Sequence, residues 1–101
     1  MTKVIIERRV KSVEQVLSLL KRLRIEAMHQ PGYLGGETLL GTQDKSIITV
    51  ITSWESIKDW KAWEKSEERT RLYQQIEKLL VEEPKITTYR YLSFEKDSPK
   101  A

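Results

Sequence analysis

Trp60 and Trp63 stand three residues apart, and Tyr73 follows ten residues after Trp63. That three-residue step puts the two indoles on neighbouring positions of one helix face, where an aromatic wall can stack a flat substrate. A phenol such as Tyr73 can hydrogen-bond a substrate oxygen, or exchange a proton if its pKa falls from about 10. Arg8 and Arg9 are consecutive, so on a strand they point to opposite faces. Whichever points inward needs a carboxylate or an anion, because a buried unpaired charge is costly. An inward Arg8 could polarise a phenolate or end in a structural salt bridge. His29 is the only histidine, close to Pro31-Gly32, where it is either a substrate contact or a cation favoured by a helix C-terminus. Trp54 reads as a packing plug. The candidate set is therefore Tyr73 and Arg8 for catalysis, with Trp63, Trp60 and His29 for substrate binding. One histidine, no cysteine and no clustered carboxylates lead to an expectation of no metal site.

These residues need elements to hold them. Residues 4–9 read as a strand. Ser12 with Gln15 three residues on is a capping-box signature for a helix reaching about His29. Its apolar stripe is Val13, Val16, Leu17, Leu20, Leu23 and Ala27. Residues 33–41 and 46–54 read as two strands joined by a polar hairpin connection. Ser56 starts a short helix carrying Ile57, Trp60 and Trp63. Ser66, with Glu67 and Glu68 behind it, starts a longer one with Leu72, Ile76, Leu79 and Leu80 on one face, stopped by Pro84. Residues 86–94 form the last strand. The order βαββααβ is the split βαβ pattern of a ferredoxin-like α+β domain with a four-stranded antiparallel sheet. Strands one and three should be central.

The third expected strand is apolar at both parities: Ile48 and Val50 point one way, Ile47 and Ile51 the other. A single layer of helices cannot cover both faces, and an exposed apolar face of that size is unusual. A second copy of the chain is the simplest cover, since two-fold dimers dominate soluble oligomers. A homodimer through the sheet face is therefore expected.

With 101 residues and 11.9 kDa there is room for one ordinary domain. The absence of cysteine excludes a disulfide scaffold and a cysteine nucleophile. No stretch approaches the roughly 20 apolar residues of a membrane span, and the short apolar run near Val4 is no signal peptide. The chain is read as cytoplasmic, with no membrane partner. Net charge is +3 with both signs interspersed, and Lys21-Arg22-Leu23-Arg24 reads as a solvated helix face rather than a phosphate stripe. RNA-recognition domains share the strand order but carry aromatics on strands one and three. Val4-Ile5-Ile6 and Ile47-Ile48 supply none, so no nucleic-acid partner is expected.

Pro31-Gly32-Tyr33 after a long helix, Ser53-Trp54-Glu55-Ser56 at a strand end, and Trp63 nine residues after Trp54 resemble the antibiotic-biosynthesis-monooxygenase-like proteins. The resemblance covers residues 3–94 as one domain and leaves 95–101 as a flexible tail. It implies a dimeric α/β barrel made by packing two sheets face to face, with an apolar pocket between sheet and helices. It implies a small monooxygenase that oxidises a small aromatic or quinone-like molecule with oxygen and no cofactor. The alternative is a non-catalytic ligand- or heme-binding dimer on the same scaffold. Heme-degrading relatives use a strand-one Asn, a Trp and an axial His ten residues later. Trp63 matches the Trp, but Tyr73 stands at the His position and Arg8 at that of the Asn, so heme degradation is not expected.

Overall fold

Three serines open the three helices. Ser12 Oγ accepts from the Gln15 N–H at 3.4 Å, Ser56 Oγ from Asp59 at 3.3 Å, and Ser66 Oγ from Arg69 at 3.2 Å. Each cap satisfies an orphan donor of the first turn and is worth about 1 kcal/mol. The structure, a computed structural model, describes residues 1–93. The expected tail over 95–101 lies outside them, and the last strand, expected to run to Phe94, ends at Arg90. The order is β1 (Thr2–Arg9), α1 (Val13–Met28), β2 (Tyr33–Leu40), β3 (Ile47–Trp54), α2 (Ile57–Glu64), α3 (Glu67–Glu77) and β4 (Lys85–Arg90). This is the expected ferredoxin-like α+β arrangement, with an antiparallel sheet ordered β2-β3-β1-β4.

Two details depart from the pattern reading. Along α1 the buried residues are Val16, Leu20 and Ala27, whereas Leu17 is 45% exposed. The stripe that meets the sheet is narrower than the run of apolar residues. The last helix stops at Glu77, well before Pro84. There the chain turns to the end of β1: Leu79 C=O accepts from Lys11, Val81 N–H donates to Arg9 C=O, and Leu80 bridges Val10. These backbone bonds replace further helix, so Leu80 is buried as part of a strand-like contact. At the other end of α1, Gly32 has φ +82°, and a Cβ there would collide with the Asp59 carboxylate.

The register sorts the sheet into two faces. Val4, Ile6 and Arg8 pair with Thr52, Val50 and Ile48, and this face meets the helices. Its core has two parts. One gathers Val4, Ile6, Ala27, Trp54, Trp60 and Trp63; the other gathers Val10, Val16, Leu20, Ile48, Ile76 and Leu80. The opposite face carries Ile5 paired with Ile51, and Arg9 paired with Ile47. Beside them lie Leu39, 46% exposed, and Tyr89, 55% exposed. No helix among the described residues packs there, so β3 is apolar on both sides as its sequence requires. No helix is long and apolar enough to cross a membrane among the described residues.

Candidate functional site

The parity of β1 decides which arginine turns inward. Arg9 faces out, where its guanidinium donates to Asp44 and Ser46 and lies 3.5 Å from Glu82. This is a surface clasp of modest worth. Arg8 faces the helices, is 1% exposed, and none of its Nε, Nη1 and Nη2 has a hydrogen-bond partner among the described residues. Burial pushes its pKa down to about 10, the neighbouring Arg69 pushes the same way, and Tyr73 opposes. A group with that pKa is still cationic near neutral pH.

Arg69 arrives from α3. It lies seven residues before Ile76 and three before Leu72, so the helical period turns all three to the buried side. It is 7% exposed and its Nε is unpartnered among the described residues. Its guanidinium lies over the Trp60 ring at 5.3 Å and over the Tyr73 ring at 5.8 Å, favourable cation–π positions. Burial lowers its pKa, partly offset by Glu64 and Tyr73, although no ion pair joins it to a carboxylate within 4 Å among the described residues. A third arginine, Arg24 of α1, donates to Gly36 C=O at 3.2 Å and to Thr38 Oγ1 at 2.7 Å.

These three arginines border one cavity between sheet and helices, walled by Trp60 and Trp63 and completed by Ile6, Leu20, Leu23, Ala27, Val50 and Thr52. Its volume is about 30 Å³, room for roughly two water molecules. No carboxylate and no imidazole lines it. The cavity is apolar in its walls and cationic in its charge.

Three of the sequence candidates, Arg8, Trp60 and Trp63, meet here. Tyr73 does not line the cavity; it packs partly buried on the second core group behind Arg69. Burial, Glu77 and Glu83 raise its pKa, so the phenol stays protonated at neutral pH and is no general base. His29 caps α1, its N–H donating to Glu26 C=O at 3.2 Å, and its exposed ring is outside the cavity lining. Trp54 is the plug expected: fully buried, its Nε1 donates to Thr52 Oγ1 at 3.0 Å. The residues that sequence reasoning missed are Arg69 and Arg24.

The family model for antibiotic biosynthesis monooxygenases matches residues 1–75. The chain belongs to that family. No curated protein sequence matches it. Among solved structures, a conserved protein from Methanosarcina mazei Go1 superposes with a TM-score of 0.83 at 20% identity, over 88% of this chain and 90% of that one. A structure described as an antibiotic biosynthesis monooxygenase gives 0.83 at 20% identity, over 92% and 100%. SnoaB, a cofactor-independent oxygenase from Streptomyces nogalater, gives 0.82 at 11% identity, over 91% and 93%. Identities this low carry the fold alone.

Arg8, Trp60, Trp63, Arg69 and Tyr73 all lie inside the span that matches the antibiotic biosynthesis monooxygenase family. Heme does not fit this cavity. Its polar lining is guanidinium, hydroxyl and indole, none of which ligates iron, and Tyr73 is held as a neutral phenol outside it. Titrated hemin should therefore give no histidine-type ferric Soret spectrum. With a reductant in air and catalase present, no iron should be released. Either signal would contradict the placement of Tyr73 and His29.

Proposed function

We propose that this family member is a cofactor-independent monooxygenase that oxidises a small phenolic or quinone-precursor molecule in the Trp60–Trp63 cavity. The carrying observation is Arg8, a buried guanidinium without a partner among the described residues, facing an apolar cavity that no carboxylate lines. Opposite charge nearby lowers the pKa of a bound phenol, and a fixed cation in a dry site stabilises the phenolate. A phenolate is electron-rich enough to react with oxygen. The reaction balances without an external reductant: phenol and one O₂ give quinone and one water, the substrate supplying all four electrons. With no carboxylate or imidazole in the lining, the phenol's proton leaves to water at the mouth. The ring enters by moving Leu23 and Arg24, which are partly exposed. The working unit in this proposal is a cytoplasmic homodimer joined through the Ile5–Ile51 face, with one cavity per subunit.

The test is anthrone oxidation in metal-chelated buffer, followed by anthraquinone absorbance. Wild type should exceed the protein-free rate by orders of magnitude, and Trp63→Ala should lose most of that excess. Trp63→Ala and Trp60→Ala should each weaken binding of a planar ligand about tenfold through lost ring contact. Trp54→Ala should cost about 3–5 kcal/mol of stability with little change in ligand affinity per folded molecule. Ligand titration alongside chemical denaturation separates the two. The small cavity volume supports a second reading, a ligand-binding dimer without turnover. Tight ligand binding with oxidation no faster than the protein-free rate would select it.

A further inference from the structure

We infer that the cavity recognises a carboxylate, and that the ligands of this protein are small aromatic acids with the acid group on Arg8 and the ring against Trp60 and Trp63. The inference uses the oxygenase reading only for the location of the site.

A guanidinium presents five N–H donors in a planar fork and accepts nothing. All three nitrogens of Arg8 lack a partner among the described residues, and so does Arg69 Nε. A single phenolate oxygen can take only a few of these donors. A carboxylate offers two oxygens with about four acceptor sites, in the geometry a guanidinium fork matches bidentately. Charge leads to the same class. Three arginines and no Asp or Glu line the cavity, so one phenolate leaves it strongly cationic, whereas a hydroxylated aromatic acid supplies a carboxylate first and a phenolate second. The indole walls then meet the ring that follows, and the guanidinium of Arg69, already over the Trp60 ring at 5.3 Å, closes over the acid group.

The experiment uses 2-naphthoate, its neutral isostere 2-naphthamide, and 2-naphthol, each titrated by tryptophan fluorescence and by calorimetry. Wild type should bind 2-naphthoate roughly ten- to a hundredfold tighter than the other two, the difference expected of hydrogen bonds to charged groups. Arg8→Met should bind all three alike, with circular dichroism reporting its fold. Arg69→Met, which keeps Arg8, should show a reduced but surviving preference. Equal affinity of wild type for acid and amide would overturn the inference. So would a full preference in Arg8→Met, or, if that variant does not fold, an undiminished one in Arg69→Met. The oxygenase reading fails separately. Preferential binding of 2-naphthoate with no oxidation of anthrone or of hydroxynaphthoates would sink the oxygenase alone, and rapid oxidation of anthrone without acid preference would sink the carboxylate alone.

Discussion

Arg8→Met is expected to make the protein more stable. The folded state takes this guanidinium out of bulk water, with no hydrogen-bond partner among the described residues, while the unfolded chain hydrates it fully. Burial brings the Arg8 pKa down to about 10, so the folded state disfavours the charged form. Replacing buried ions by apolar side chains of similar volume commonly gains about 1–4 kcal/mol. For a domain of this size each kcal/mol moves the midpoint by about 4–8 °C, so a rise of at least 5 °C is expected by scanning calorimetry. The sign with pH follows from linkage. The folded pKa lies below the unfolded one, so the unfolded chain binds more protons above about pH 10, and stability climbs as the pH rises through that region. Below it the penalty is complete, and the gain from Arg8→Met should be flat between about pH 6 and 9. Saturating 2-naphthoate should do for wild type what the substitution does for the variant, about 2.7 kcal/mol at a hundred times its Kd. At the same concentration Arg8→Met, binding ten- to a hundredfold more weakly, should gain only about 0.4–1.4 kcal/mol. A variant less stable than wild type would mean that the guanidinium is paired in the folded protein.

Ile51→Glu should break the proposed homodimer into monomers. Ile5, Ile47 and Ile51 share the face that no helix among the described residues covers, and burying each against a second copy is worth about 1.5–3 kcal/mol. Two-fold symmetry places two new carboxylates in one seam, so a loss of at least a hundredfold in dimer affinity is expected by light scattering. Val50 belongs to the opposite parity and lines the cavity. Val50→Glu should therefore disturb ligand binding or folding and leave the dimer assembled. Dissociation by Val50→Glu with an intact Ile51→Glu dimer would reverse the assignment of faces.

Much of this was legible in the chain. The serine caps, the three- and four-residue steps of α1 and α2, and the two-sided apolarity of β3 are local signals, and each led to the element observed. The end of α3 was not legible: no glycine or proline marks Glu77, and what stops the helix is backbone pairing of Leu79, Leu80 and Val81 with the end of β1. Arg69 leaves a trace in the sequence. Its spacing to Leu72 and Ile76 puts a charge on an apolar stripe, which is either an error of register or a functional group. Tyr73 drew attention by its phenol and by the family spacing, yet one side chain separates it from the cavity. Which of Arg8 and Arg9 is paired depends on strand parity and on Asp44 and Glu82 arriving from distant segments, so sequence could offer both outcomes and choose neither.

The central claim is oxygen chemistry without a cofactor in a cavity that Arg8 charges. The most direct measurement is mass spectrometry of anthraquinone formed from anthrone under ¹⁸O₂ by the metal-free wild-type protein, with Arg8→Met beside it. The account predicts one ¹⁸O atom per quinone, formed far faster than without protein, and a rate at least about tenfold lower for the variant. Quinone produced no faster than in protein-free buffer, or at the same rate by Arg8→Met, would contradict it.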